Sequence, residues 1–269
     1  MAERGRPLPR IIVSKFGEVD DEEARRVVKV MEECYNRLAP HEVTLVDLYV
    51  FERASSMRSF LGRESQVVGV VSASFGELFF ATHDAWRGTP RIVLCLERMG
   101  KLPKLVRLGG IRHEVGHSIL HGDLRYYLIP IPTALLELAD RFSLSRGYAT
   151  NLLYLISTAV KDYEVSRLLR ENGYVRDQAS YARYLLTVSE EDVQAWEMAK
   201  GNALAETLCL VSSLKAASPA VPFLSDEKFC RGMRRRLRTS LSRFPPKHSA
   251  LLFEAIMEGF LPLGVDTLT

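Results

Sequence analysis

Six residues carry the chemistry most plainly: His113, Glu114 and His117, inside Ile111-Arg-His-Glu-Val-Gly-His-Ser-Ile-Leu-His-Gly-Asp123, form H-E-x-x-H, and His121 repeats the four-residue step with Gly122 and Asp123 behind it. On a helix, positions four apart share a face, so His113 and His117 can aim two imidazoles at one ion. Zn²⁺ suits two neutral imidazoles and a carboxylate with a fourth position left open. Water held there has its pKa lowered to roughly 7, and Glu114, next to the first ligand, is placed to take its proton. Three of the six histidines of the chain fall between positions 113 and 121, which argues against ordinary surface histidines.

The surrounding residues predict the helix this chemistry needs. Leu105, Val106, Leu108, Ile111, Val115, Ile119 and Leu120 recur at roughly helical spacing over 103–121. Pro103 suits a first turn, Gly122 suits a stop, and Gly109-Gly110 are expected to break or kink the helix before the motif. Upstream, strands are expected at Arg10–Phe16, Glu42–Phe51, Val67–Ser74, Glu77–Thr82 and Arg91–Leu96, with a helix over Glu22–Leu38 and a short helix or loop at Ala54–Gly62. Downstream the pattern turns helical: Ala134–Ser145, Thr150–Arg170, Arg176–Thr187, Ser189–Ala216, Asp226–Leu241 and His248–Glu258, with Arg146-Gly147 as a break and Ser218–Pro222 as a loop. The expected class is α+β: an N-terminal mixed twisted sheet with helices and an active-site helix over 1–122, then a mainly helical part over 123–269 that supplies the third ligand.

A third protein ligand has to come from elsewhere in the chain. Asp162, in Thr158-Ala-Val-Lys-Asp-Tyr-Glu-Val-Ser-Arg167, shares a helical side with Leu155, Thr158, Ala159, Val165, Ser166 and Leu169. A carboxylate on so apolar a side is costly unless paired, and a metal ion supplies that pairing. Glu164 falls among Val160, Lys161, Arg167, Leu168 and Glu171 and reads as solvated.

The His113–His117 motif followed by an acid-bearing helix resembles the zincin-like metallopeptidases, in particular the gluzincin and SprT-like or minimal zincin groups. His113-Glu-Val-Gly-His-Ser-Ile-Leu-His121 is also similar to the H-E-L-G-H-x-x-x-H helix of the ImmA/IrrE peptidases, and Asp162-Tyr-Glu-Val-Ser-Arg-Leu-Leu169 to their E-x-E-A-[ND]-x-x-A segment. The departures are Asp162 for the first Glu, Val165 for Ala, Ser166 for Asn or Asp, and Leu169 for the last Ala. The resemblance covers positions 103–170. It implies a zincin-like fold, Zn²⁺ on His113, His117 and an acid of the later helix, Glu114 as general base, and a peptide or protein substrate. Two other ligand positions used among zincins remain open. Asp123 lies six residues after His117, a class that needs glycine where this chain has Leu120; Glu137 lies twenty after it, a class whose acidic partner four residues on is here Arg141. A strand at a sheet edge would take an extended peptide by pairing, with Glu77–Thr82 or Arg91–Leu96 the candidates. His121, Tyr126, Tyr127 and Tyr163 are candidate helper donors. A metal-holding regulator or interaction module that does not cleave is the alternative reading.

Composition narrows the setting. The net charge of +3, from 36 basic and 33 acidic residues, implies no attraction of the whole molecule to nucleic acid or membranes. Cys34, Cys95, Cys209 and Cys230 form no C-x-x-C and read as reduced thiols of a cytoplasmic protein, or as one or two disulfides of the kind hyperthermophiles carry. No signal-peptide-like apolar segment follows the first residues, and no apolar stretch reaches the ~20 residues of a spanning helix. Arg231, Arg234, Arg235, Arg236, Arg238, Arg243 and Lys247 form a basic run without an acid. A solvated helix face is the expectation for it, contact with nucleic acid or an acidic protein the alternative.

Overall fold

The first strand, β1 (Arg10–Phe16), is followed by α1 (Asp21–Arg37). Asp20 caps that helix by accepting from Glu22 N, and Asp21, Glu22 and Glu23 place negative charge in its first turn. Ala24, Val27, Met31, Cys34 and Tyr35 form its buried stripe. Then come β2 (Leu45–Phe51), α2 (Ala54–Val68), β3 (Ala81–Asp84), β4 (Arg91–Cys95), α3 (Leu96–Gly100) and α4 (Lys104–Leu120). The computed structural model describes residues 8–68 and 79–263.

Among the described residues the sheet is mixed and four-stranded, in the order β1-β2-β4-β3. β1, β2 and β4 run parallel, with Arg10 opposite Leu45 and Asp47 opposite Arg91; β3 is antiparallel to β4, with Asp84 opposite Arg91. Alternation along the strands divides the core between the two faces. Phe51, Val93 and Cys95 join Ala54, Met57 and Leu61 of α2 in one cluster, with Phe16, Tyr49, Phe60 and Phe79 packed against it. Val46, Leu48, Val50, Ile92 and Leu94, all fully buried, turn to the other face. There α4 packs against β3, β4 and α1.

Arg91 on β4 is buried and holds two carboxylates. Its Nε and Nη2 bond Asp84 Oδ2 at 3.1 and 2.8 Å, and its Nη1 lies 2.6 Å from Glu64 Oε2 of α2. Burial raises the pKa of Asp84 while Arg91 opposes the rise. The pair pins the end of β3, the strand beside α4.

Several sequence expectations are corrected here. Gly109 and Gly110 do not break α4, which is continuous. They are where neighbours come closest: a Cβ at Gly109 would stand 2.6 Å from Asp177 O, and one at Gly110 2.2 Å from Phe80 Cζ. Arg91–Leu96 is no edge strand, because β4 pairs on both sides. The strand expected at Glu77–Thr82 is found as β3, shifted to Ala81–Asp84, and its residues 77–78 lie outside the described residues. Of the strand expected at Val67–Ser74, residues 67–68 end α2 and the remainder lies outside the described residues.

Beyond a short 3-10 turn at Leu124–Tyr126 the chain is helical: α5 (Thr133–Arg141), α6 (Arg146–Glu171), α7 (Val175–Leu185), α8 (Glu190–Ala199), α9 (Ala203–Ala217), α10 (Cys230–Leu241) and α11 (Pro246–Glu254), the last continued by a π-helical turn over Ala255–Phe260. The helix expected over Ser189–Ala216 is two helices. Gly201, at φ +81°, makes the turn, a capping box between Ser189 and Asp192 opens α8, and Asn202 caps α9. The break expected at Arg146-Gly147 falls earlier, at Phe142–Ser145, where Ser143 has φ +51°. Ser218–Phe223 is a buried 3-10 helix rather than an open loop, and α10 begins at Cys230, later than the expected Asp226.

The chain divides into two compact units, Met1–Tyr127 with Leu168–Tyr181, and Leu128–Arg167 with Ala182–Thr269. The first boundary lies five residues beyond the expected Gly122/Asp123 junction. The return of Leu168–Tyr181 to the first unit has a physical cause in its side chains. Asp177 accepts from Arg112 Nη1 at 2.7 Å, Gln178 Nε2 donates to Gly109 O at 2.8 Å, and Tyr174 lies under Arg37 and Arg112 with its hydroxyl donating to Glu33 O. The four cysteines are free thiols, Cys34 and Cys95 buried. Among the described residues no helix is long and apolar enough to cross a membrane.

Candidate metal centre

Helix α4 is buried on every side over His113–Ser118, unlike the one-sided helix its sequence alone would specify. His113, Glu114, His117 and His121 are exposed by only 3, 4, 8 and 1 %, so four side chains that ordinarily seek water are held in the interior. Ser118 is buried with them; it donates to Val115 O and meets the Tyr35 hydroxyl at 2.6 Å, tying α4 to α1.

His113 Nε2 and His117 Nε2 stand 3.2 Å apart. Two nitrogens bound to one tetrahedral Zn²⁺ at 2.0–2.1 Å are separated by about 3.3 Å, so the observed spacing fits a shared ion. His113, His117 and Asp162 together are a candidate set of metal ligands. Asp162 is half-buried on α6, whose last four residues belong to the first compact unit.

The other acids expected as candidates stand differently. Asp123 is exposed and accepts from Arg125 N at the 3-10 turn. Glu137 is exposed on α5. Glu164 is buried, 6 % exposed, which corrects the solvated face expected for it. The reason is that α6 is buried all round over Tyr163–Ser166, so a helical wheel of this helix has no solvent side to assign. Burial lowers the Lys161 pKa to about 8, against the pull of Asp162 and Glu164.

Of the candidate helper donors, His121 lies behind the centre. Its Nδ1 is 3.2 Å from His117 Nδ1, so one of the two nitrogens carries the shared proton. With that proton on His117, its Nε2 lone pair faces His113 Nε2, which is the tautomer a metal ligand requires. Tyr126 packs edge-on against His121 at 5.1 Å. Tyr163 is buried and donates to Leu263 O at 3.4 Å. Tyr127 meets His83 Nδ1 at 3.3 Å.

His83 is the residue the sequence reading missed. It sits on β3 and its ring stacks parallel to that of His117, with centroids 5.9 Å apart and planes 5° apart. Four of the six histidines thus gather at one place. A strand drawn to Thr82 stops one residue short of His83; the ion pair of Asp84 with Arg91 is what extends it. Tyr181 of α7, 5.2 Å from the His113 ring, was equally invisible, because it returns to α4 from a segment 68 positions away. Comparison with protein-family models, with curated proteins and with solved structures returns no match for this chain.

Proposed function

We propose that the protein is a zinc-dependent metallopeptidase of zincin-like architecture, with His113, His117 and Asp162 as the metal ligands and Glu114 as the general base. The observation that carries this reading is the 3.2 Å approach of the two buried Nε2 atoms, with buried Glu114 next to the first of them in the chain. An antiparallel edge strand next to the helix of the motif agrees with it, since among the described residues β3 pairs only with β4, and its other side can accept an extended peptide.

Bound Zn²⁺ would supply Lewis-acid polarisation of a scissile carbonyl and of a water molecule. The chain's own residues would do the rest. His121 holds His117 in the Nδ1–H tautomer. Glu114, buried beside the first ligand, accepts the proton of the attacking water and passes it to the leaving amine. His83 with Tyr127, at the strand where substrate would lie, offers a polar pair to the substrate backbone. Burial of the cluster excludes bulk water and strengthens each of these interactions.

The experiment is metal analysis of the purified protein, followed by cleavage of a generic peptide library by wild type and E114Q. One zinc per chain in both proteins, with hydrolysis in wild type and its loss by a factor of about 10² or more in E114Q, is expected. Zinc retained by H113A and H117A at wild-type affinity would remove the metal centre. Zinc binding with no hydrolysis by wild type would leave a metal-holding protein that does not cleave.

A further inference from the structure

The basic run divides, in the structure, into two groups with different tasks. Arg236 turns inward, where its Nη2 donates to Thr187 Oγ1 at 2.8 Å, and Arg243 Nη2 donates to Ser213 Oγ at 2.8 Å. Arg231, Arg234, Arg235 and Arg238 are all exposed. Their spacing is i, i+3, i+4 and i+7, one face of α10, about 10 Å long. The opposite face, Met233, Leu237, Ser240 and Leu241, is buried and fixes the orientation of the helix.

This stripe works against its own helix. Arg231 and Arg235, and Arg234 and Arg238, are like charges four apart, and Arg231 sits in the first turn, where the dipole disfavours a cation. No acid occurs between Lys228 and Lys247, and none of the four arginines is ion-paired with a carboxylate among the described residues. The nearest acids in sequence are Asp226, which accepts from Lys228 N and Phe229 N, and Glu227. A row of guanidinium groups without carboxylate partners, only Arg238 resting on a ring, that of Phe253, has the form of a surface kept for an anionic partner.

We infer that the exposed face of α10 is a binding surface for the phosphate backbone of a nucleic-acid duplex. Arginine forks match phosphate oxygens in pairs, and a duplex presents about one charge per 1.7 Å of axis, so about six phosphates lie along the length of the stripe. A membrane surface fits less well, because an interfacial helix must sink an apolar face into lipid and the apolar face of α10 is already buried. Single strands fit less well too: stacking platforms are wanting, since Phe229 and Phe253 are half-buried beneath Lys228 and Arg238. The near-zero net charge of the chain is no obstacle, because screening confines the attraction to the local patch. The inference is independent of the peptidase reading.

The test uses full-length protein and fluorescent 20-base-pair DNA and RNA duplexes, with anisotropy read between 50 and 200 mM KCl. Four phosphate contacts predict a log–log salt slope of about −3.6, which is an affinity loss of about 100-fold across that range. R235Q should reduce the slope by about one unit. R231Q/R234Q/R235Q/R238Q relieves like-charge crowding, so it should fold at least as well by circular dichroism and lose duplex binding. R25Q/R26Q/K29Q, which removes exposed charge from α1, should keep it. Binding of either duplex with this pattern supports the inference. It is overturned by no duplex binding at 50 mM KCl, by full binding in the fourfold variant, by equal loss in the α1 variant, or by tighter arginine-dependent binding to polyglutamate or phosphatidylserine vesicles than to the duplexes.

Discussion

Alanine at Gly109 and at Gly62 should act with opposite signs, although both glycines lie inside helices. In a helix interior, alanine is favoured over glycine by about 1 kcal/mol. Gly62 of α2 has nothing within 4 Å of where its Cβ would stand, so G62A should gain up to that amount. At Gly109 the Cβ would stand 2.6 Å from Asp177 O and 2.7 Å from Tyr181 Cβ. Ordinary contact begins near 3.4 Å, so α4 and α7 would have to separate by roughly 0.8 Å, and neither partner is the flexible end of a side chain. Overpacking of this kind costs about 1–3 kcal/mol. The propensity gain offsets about 1 kcal/mol of it, leaving G109A destabilised by up to about 2 kcal/mol. His113 is the next residue but three on the same face, and its ring packs on Tyr181, so the displacement should also weaken zinc binding. Urea unfolding followed by circular dichroism, with zinc titration of each variant, checks both effects. G109A as stable as G62A would show that α4 does not depend on close approach to α7, and would refute the packing account.

D177N should leave Arg112 without its carboxylate; with the Arg112 side chain 16 % exposed, a loss of about 3 kcal/mol of unfolding free energy is expected in urea denaturation. H121A should bind zinc about 10–100-fold more weakly in a competition assay with a chromophoric chelator, with the protein otherwise folded, since it loses the partner of His117 Nδ1; unchanged affinity would remove His121 from the centre. Burial pushes the Cys34 thiol up to about 12 from 9.0, so the unfolded chain releases this proton first as pH rises. The thiol's contribution is therefore complete below pH 9 and is lost progressively from pH 9 toward 12, at up to about 1.4 kcal/mol per pH unit. C34A should show a shallower fall of the urea midpoint over that interval than wild type, and identical profiles would sink the assignment.

What the sequence determined on its own was local. Short apolar runs place β1, β2 and β4 within three residues of where they lie, and the 3.6-residue stripe of α1, with Asp20 or Asp21 to cap it, needs nothing from the rest of the chain. The spacing of His113 and His117 compels their rings to one side of α4, because helix geometry alone sets it. Tertiary structure decided whatever depends on a second element. Gly109 and Gly110 read as helix breakers until Asp177 and Phe80 occupy the room that side chains would need. Asp162 and Glu164 cannot be ranked from a helical wheel when α6 has no solvent face at that turn. His83 reaches His117 only because β3 folds back on β4 under the Arg91–Asp84 pair, and four of the five arginines of α10 face outward only because the other side of that helix is buried. Local propensity is written in neighbouring residues, whereas burial is a property of surfaces that meet across the chain, and it was burial that chose among the alternatives the sequence left open.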